Sequence, residues 1–199
     1  MRIVKNPEQR RQEILDAAFS LFEANGIYRT KISDITHRAG IAQGLFYYYF
    51  SSKERVIAAV YEMVIATVER AALSIIGDKR IRFSERLGRY VQLYLQTAQR
   101  LARCRRNEPP DARFAPMIAS IETDIDQRTI GHLRLLISEG SQEGALQLRY
   151  PEEMLKMVFY GLRTLDWDVE RDEDKILTMI EQGLHLPMGS MRESAQEAE

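Results

Sequence analysis

Apolar residues recur along most of this chain at intervals of three and four, the spacing of a helix with one buried face. No run alternates in the manner of a half-buried strand. The first such stripe is Ile14, Ala17, Ala18, Leu21 and Phe22. Asn6 stands ahead of it as a cap, Pro7 fits the first helical position, and Gln9 sits at capping-box spacing. Asn25-Gly26 ends it with a residue free to turn left-handed. A short helix is predicted from about Lys31 to Ala39 with Thr30 as its cap. Gly40 then permits a tight turn, Ile41 plugs the angle, and a second short helix runs from about Gln43 to Tyr49. Ser51 and Glu54 have capping-box spacing at the head of a long helix, Lys53 to about Ile76. Helical pattern continues over about Ser84–Arg103, Arg113–Glu143, Pro151–Val169 and Glu173–Leu184. Gly77-Asp78, Asn107-Glu108-Pro109-Pro110 and Gly144 break it. The expected fold class is all-α, with about nine helices: a three-helix domain over residues 1–52, a helical body over 53–187, and a frayed tail over 188–199.

Composition narrows the function classes. Although 45% of residues are hydrophobic, no stretch approaches the roughly 18–20 apolar residues of a membrane span. The opening Met1-Arg2-Ile3-Val4-Lys5-Asn6 is too short and polar for a signal peptide. A cytoplasmic protein without a membrane partner is expected. Charge is unevenly shared: residues 1–60 carry nine Lys/Arg against six Asp/Glu, a net +3, and the remainder carries 19 against 23, a net −4. A basic N-terminal part on an acidic body suits a polyanionic partner at one end. The one cysteine, Cys104, is flanked by Arg103, Arg105 and Arg106. Those cations favour a reactive thiolate, whereas the alternative is an incidental thiol near a helix end. His37, His132 and His185 have no metal-ligand or catalytic spacing, and no nucleophile elbow or phosphate loop occurs. No catalytic residue, metal or cofactor is therefore expected.

Two short helices joined by a glycine turn and followed by aromatic residues make a helix-turn-helix pattern at Ile32–Phe50. Ile32, Ile35 and Ala39 supply the inner face of the first helix. Leu45 or Phe46, with Phe50, anchors the second. The run Arg11–Ile14 to Phe22, Gly26, Ile32, Asp34-Ile35, Ala39-Gly40-Ile41, Gly44, Phe46-Tyr47, Tyr49-Phe50 and Ser52-Lys53-Glu54 resembles the N-terminal domain of the tetracycline-repressor (TetR) family over about residues 8–60. The resemblance implies phosphate contacts from Thr30 and Lys31, base reading by Gln43, and close backbone approach at Gly44. It also implies a phosphate contact from Tyr47, a groove contact from Tyr48, and a phosphate grip by Lys53. Ala42 and Leu45 depart from the serine and threonine common in relatives. Leu45 can instead touch a thymine methyl group. Arg10, Arg11 and Lys5 either add phosphate attraction or form a solvated charge run.

For the body the resemblance implies a ligand-binding and dimerisation domain. Candidate ligand contacts are Tyr61, Ile65, Tyr90, Tyr94, Thr97, Met117, Ile121, Phe159, Arg163 and Trp167, with Asp124 as a further polar group. For each of these, plain core is the competing role. A homodimer interface is expected through Leu155, Val158, Phe159, Leu162, Leu165, Ile176 and Ile180, because Pro151–Val169 is apolar on more than one face. The expected function is a repressor released from a palindromic operator in double-stranded DNA by a small-molecule effector. The alternative is an activator or an architectural DNA binder without a ligand.

Overall fold

The computed structural model describes residues 6–106, 109, 113–164 and 169–192, apart from the side chains of 163–164 and 169–171. Eight helices run in order among the described residues: α1 (Pro7–Asn25), α2 (Ile32–Ala39), α3 (Gln43–Tyr49), α4 (Lys53–Gly77), α5 (Phe83–Cys104), α6 (Ala115–Gln142), α7 (Pro151–Thr164) and α8 (Val169–Gly183). No strand occurs among them. The chain forms two compact units. One holds the residues up to Thr67 together with Ala98–Thr123, and the other holds Val68–Thr97 with the residues from Asp124 onward. The division falls inside α4, α5 and α6.

In the first unit α1 begins as its sequence dictates. The Asn6 side chain accepts from the Glu8 N–H at 3.0 Å, with proline at the first helical position. Ile14, Leu15, Ala18 and Phe22 are fully or almost fully buried. The helix stops at Gly26, whose φ of 84° suits glycine. A Cβ at that position would also run into the backbone carbonyl of Arg106. The next residue is pinned to the end of α5, the Ile27 N–H donating to the Cys104 carbonyl at 2.8 Å. Cys104 is itself buried, and burial pushes its thiol up to about 12, outweighing the neighbouring Arg100 and Arg103. The incidental thiol is the reading that fits this environment.

The second unit holds a continuous apolar core drawn from α4 through α8, including Ile76, Phe83, Leu87, Leu136, Ile137, Phe159, Ile176 and Leu177. Two polar clasps tie it together. The Arg86 side chain is 1% exposed, and its guanidinium donates to the Ile76 carbonyl at 3.0 Å, Glu139 at 2.6 Å and Glu143 at 2.7 Å. It thereby joins the end of α4 to α5 and α6. The second clasp is Glu181 of α8, fully buried, whose carboxylate accepts from the backbone N–H groups of Gly189 and Met191, each at 2.9 Å. Arg192 completes it, 3.0 Å from Glu181 and 2.6 Å from Asp174. Residues 188–192, expected to fray, are thus held against α8. The physical reason is a buried carboxylate that requires donors, which the chain supplies ten residues on. Met191 is buried, and a Cβ at Gly88 of α5 would overlap its carbonyl oxygen.

Burial alone would raise the Glu181 pKa, but the Met191 and Gly189 N–H groups and Arg192 hold it below the ordinary carboxylate value. A depressed folded-state pKa stabilises the protein above the unfolded value of about 4.3, and that contribution is lost as pH falls through the folded pKa. Glu181→Ala is predicted to lower the unfolding free energy by about 2–4 kcal/mol in urea titrations near pH 7. Glu181→Gln is predicted to flatten the acid limb of the stability profile. At Cys104, a thiol-reactive dye is expected to label the denatured protein within minutes and the native protein at least a hundredfold more slowly.

Candidate nucleic-acid interface

The head is built on α1, α2 and α3. Helix α1 packs on α2, and α2 packs on α3. Its turn is the glycine corner that the pattern predicts: Gly40 is left-handed at φ 63°, and the Ile41 N–H returns to the Thr36 carbonyl at 3.0 Å. Helix α2 is not capped by Thr30, however. Lys31 occupies the cap, and the Asp34 carboxylate accepts from its backbone N–H at 2.8 Å. Thr30 is 1% exposed, with its hydroxyl donating to the Gly26 carbonyl at 2.9 Å. Its side chain is committed to the interior and is not available to a phosphate. Lys31 is exposed.

Seven residues make α3, and they divide by face. Phe46 is fully buried and Phe50, just past the helix, nearly so, with ring centroids 6.0 Å apart. Gln43, Gly44, Leu45, Tyr47 and Tyr48 face outward, Tyr48 at 78% exposure and Leu45 at 38%. Tyr49 is half-buried and meets Tyr48 edge-on at 5.1 Å. The outward residues are those that the TetR resemblance assigns to DNA. No side chain caps α3, because Ala42 stands at its cap. A Cβ at Gly44 would meet no atom within 4 Å, so nothing in the fold requires glycine there.

Helix α4 follows at once, and its cap is Ser52 rather than Ser51, with Oγ 3.4 Å from the Arg55 N–H. Ser51 is exposed, one residue too early for that geometry. Lys53 is half-buried, its ammonium 5.4 Å from the centre of the Phe114 ring. Desolvation, then repulsion from Arg113, lowers its pKa. Arg113 lies over the same ring at 4.5 Å and is 3.1 Å from Glu54. Arg11 stacks on Phe50 at 5.2 Å, whereas Arg10 pairs with Glu13 at 2.6 Å. Lys5 lies outside the described residues.

The expected ligand residues are shared between the two units. Tyr61, Ile65, Met117 and Ile121 belong to the first unit, and Tyr61 is buried there. In the second unit a cavity of about 30 Å³ lies among α5, α6, α7 and α8. Tyr90, Tyr94 and Phe159 line it as expected, together with Leu87, Val91, Leu133, Leu155, Val158, Leu162, Ile180 and Leu184. Thr97 is not part of this wall, and its hydroxyl donates back to the Leu93 carbonyl at 2.8 Å. Asp124 pairs with Arg128 at 2.8 Å away from the cavity. The Arg163 side chain and Trp167 lie outside the described residues.

The expected dimer residues need a similar correction. Leu155, Phe159, Ile176 and Ile180 are buried within their own chain, and Val158 and Leu162 face the cavity. Leu165 lies outside the described residues. Among the described residues, the large apolar side chains that α7 and α8 leave exposed are Met157, Tyr160 and Met179. Periodicity shows that α7 has two apolar sides without saying which one the core takes. Among the described residues no group of His, Cys, Asp or Glu side chains is placed to hold a metal ion, and no helix is long and apolar enough to cross a membrane.

Residues 14–60 match the family of bacterial regulatory proteins, tetR family. That segment runs from α1 through the first third of α4. The chain is 37% identical over 76 residues to YvdT of Bacillus subtilis, an uncharacterized HTH-type transcriptional regulator; the match covers 38% of this chain and 39% of YvdT. The chain thus spans well under half the length of the curated relatives it first matches. Structural likeness reaches further. A transcriptional regulator from Cytophaga hutchinsonii superposes with a TM-score of 0.70 at 19% identity, over 87% of this chain and 94% of that one. The SmeT–triclosan complex superposes with a TM-score of 0.59 at 20% identity, over 96% and 99%. At these identities the likeness speaks for the fold alone. The left-handed Gly40 corner and the aromatic end of α3 both fall inside the matched segment, and over residues 14–60 the chain matches the tetR family of bacterial regulatory proteins.

Proposed function

We propose that this chain is a sequence-specific DNA-binding transcriptional regulator that reads a palindromic operator as a homodimer in the cytoplasm. One observation carries the reading: α3 turns Gln43, Gly44, Leu45, Tyr47 and Tyr48 outward together while Phe46 and Phe50 hold it from behind. Gln43 offers the amide geometry that pairs with adenine, Leu45 an apolar surface for a thymine methyl, and Tyr47 and Tyr48 hydroxyl groups for phosphate or base edges. Lys31 and the uncapped start of α3 add positive potential for the backbone. Lys53 contributes from the start of α4. Thr30 leaves this set, because its hydroxyl is spent inside the fold.

A single seven-residue helix reads only a few base pairs, so two heads are required for a specific site. The exposed Met157, Tyr160 and Met179 are the apolar surface of α7 and α8 best suited to a second copy. Release by a small molecule is the mode of action this reading favours, since a protein of the same fold is described in complex with triclosan. A ligand that widens the second unit would shift α4, the helix on which the head is carried. The narrowness of the cavity favours the second reading, a regulator or architectural binder that needs no effector.

Operator fragments selected from random duplexes, followed by DNase footprinting, test the proposal. A protected two-fold site supports it, and uniform weak binding to all sequences at every salt concentration sinks it. Gly44→Ala is predicted to leave stability unchanged or raise it by up to about 1 kcal/mol, because helix propensity improves and the new methyl meets no atom. The same variant should weaken operator binding at least tenfold, as should Tyr48→Ala, in gel shifts at fixed salt. Tyr160→Glu is expected to shift the protein from dimer to monomer in light-scattering chromatography without loss of helical circular dichroism.

A further inference from the structure

Two cations of the first unit share one aromatic platform. Phe114 is buried, and its ring meets that of Tyr28 with centroids 5.4 Å apart. The Lys53 ammonium lies 5.4 Å from the centre of the Phe114 ring, and the Arg113 guanidinium 4.5 Å from it. The two charges are therefore no farther apart than those distances laid end to end. The ring attracts each cation, but the cations repel one another. After desolvation, Arg113 is the next cause that lowers the Lys53 pKa. Two carboxylates act the other way. Glu54 lies 3.1 Å from Arg113 and also attracts Lys53. Asp34 attracts Lys53 from the first turn of α2, where it accepts from the Lys31 N–H. The Arg113–Glu54 pair is open to water, at 68% and 43% side-chain exposure, and exposed pairs of this kind hold weakly. The Arg113 guanidinium is thus placed by the ring, while its donors face a partner that they can exchange for two phosphate oxygens.

We propose that Arg113 is a phosphate contact of the DNA-bound protein, acting beside Lys53 so that the start of α6 grips the DNA backbone together with the start of α4. The proposal rests on the regulator reading, which supplies the DNA. Arg113 lies outside residues 14–60, so the contact is one that the matched pattern of the head does not contain. Successive phosphates of one strand are about 3.4 Å apart along the helix axis, so two cations this close can meet one phosphate or near neighbours. On binding, Arg113 exchanges Glu54 for the phosphodiester, and the anion offsets the repulsion between the two cations. A phosphate carries no base identity. Arg113 therefore adds affinity at every sequence and fixes the placement of the head rather than choosing bases.

The test uses the whole protein and the selected operator, with affinity measured by fluorescence anisotropy over a series of salt concentrations. Arg113→Gln is expected to weaken binding to the operator and to unrelated duplexes alike, at least fivefold, and to lower the slope of log affinity against log salt by about one. Arg113→Lys should keep the slope. Arg80→Gln removes the same charge from an exposed site of the second unit and should leave the slope as it is. Operators carrying a single methylphosphonate at each backbone position in turn locate the contact. One position per half-site should cost the unchanged protein at least threefold and Arg113→Gln nothing. It should coincide with the position that responds to Lys53→Gln or lie next to it. An unchanged slope in Arg113→Gln, an equal loss of slope in Arg80→Gln, Arg113→Lys as impaired as Arg113→Gln, or no position that tells Arg113→Gln from the unchanged protein would each overturn the assignment. Binding of every duplex alike by the unchanged protein removes the regulator reading, and the slope still decides Arg113. Operator selectivity untouched in affinity and slope by Arg113→Gln keeps that reading and removes Arg113.

Discussion

A helix of seven residues cannot sustain itself in water, since nucleation costs more than so few hydrogen bonds return. Helix α3 exists because Phe46 and Phe50 are buried behind it and the Gly40 corner delivers it there already turned. The same constraint decides what is left outside. Once Phe46 points inward, the helical period turns Gly44 and Tyr48 to the opposite side and Tyr47 to the flank, while Gln43 is exposed at the open first turn. Burial of two phenyl rings thus presents the amide and the hydroxyl groups to a partner.

The two units use different means to the same end. Around the head, backbone and aromatic contacts do most of the positioning, as in the Ile27 N–H bond to Cys104 and the cations over Phe50 and Phe114. The second unit surrounds an apolar centre with polar clasps at Arg86 and Glu181.

Much of this was legible in the residues. The start of α1 followed from Asn6-Pro7, the corner from Gly40, and the two short helices came within a residue of their bounds. Local chemistry carries such features, and local chemistry is what a sequence displays. Choices settled by distant partners were not legible. Thr30 looks like a cap, yet Asp34 could reach the Lys31 N–H instead, which freed the threonine to turn inward. Ser52 displaced Ser51 by a single residue. On α7 the periodicity revealed two apolar sides, but Leu155 and Phe159 went to the core while Met157 and Tyr160 stayed outside. The expected tail was anchored by Glu181, a residue that reads from sequence as an ordinary exposed helix charge.

The two clasps also differ in how far along the chain they reach. Glu181 finds its N–H donors eight and ten residues away, so closing that loop requires little more order than α8 already has. Arg86 finds Glu139 and Glu143 at separations of 53 and 57 residues. Until α6 is in place, a guanidinium destined for burial has nothing to neutralise it and stays in water. The Glu181 clasp is therefore a local event, available early in folding. The Arg86 clasp is a checkpoint on the assembly of the helical unit, reached only when α4, α5 and α6 have met.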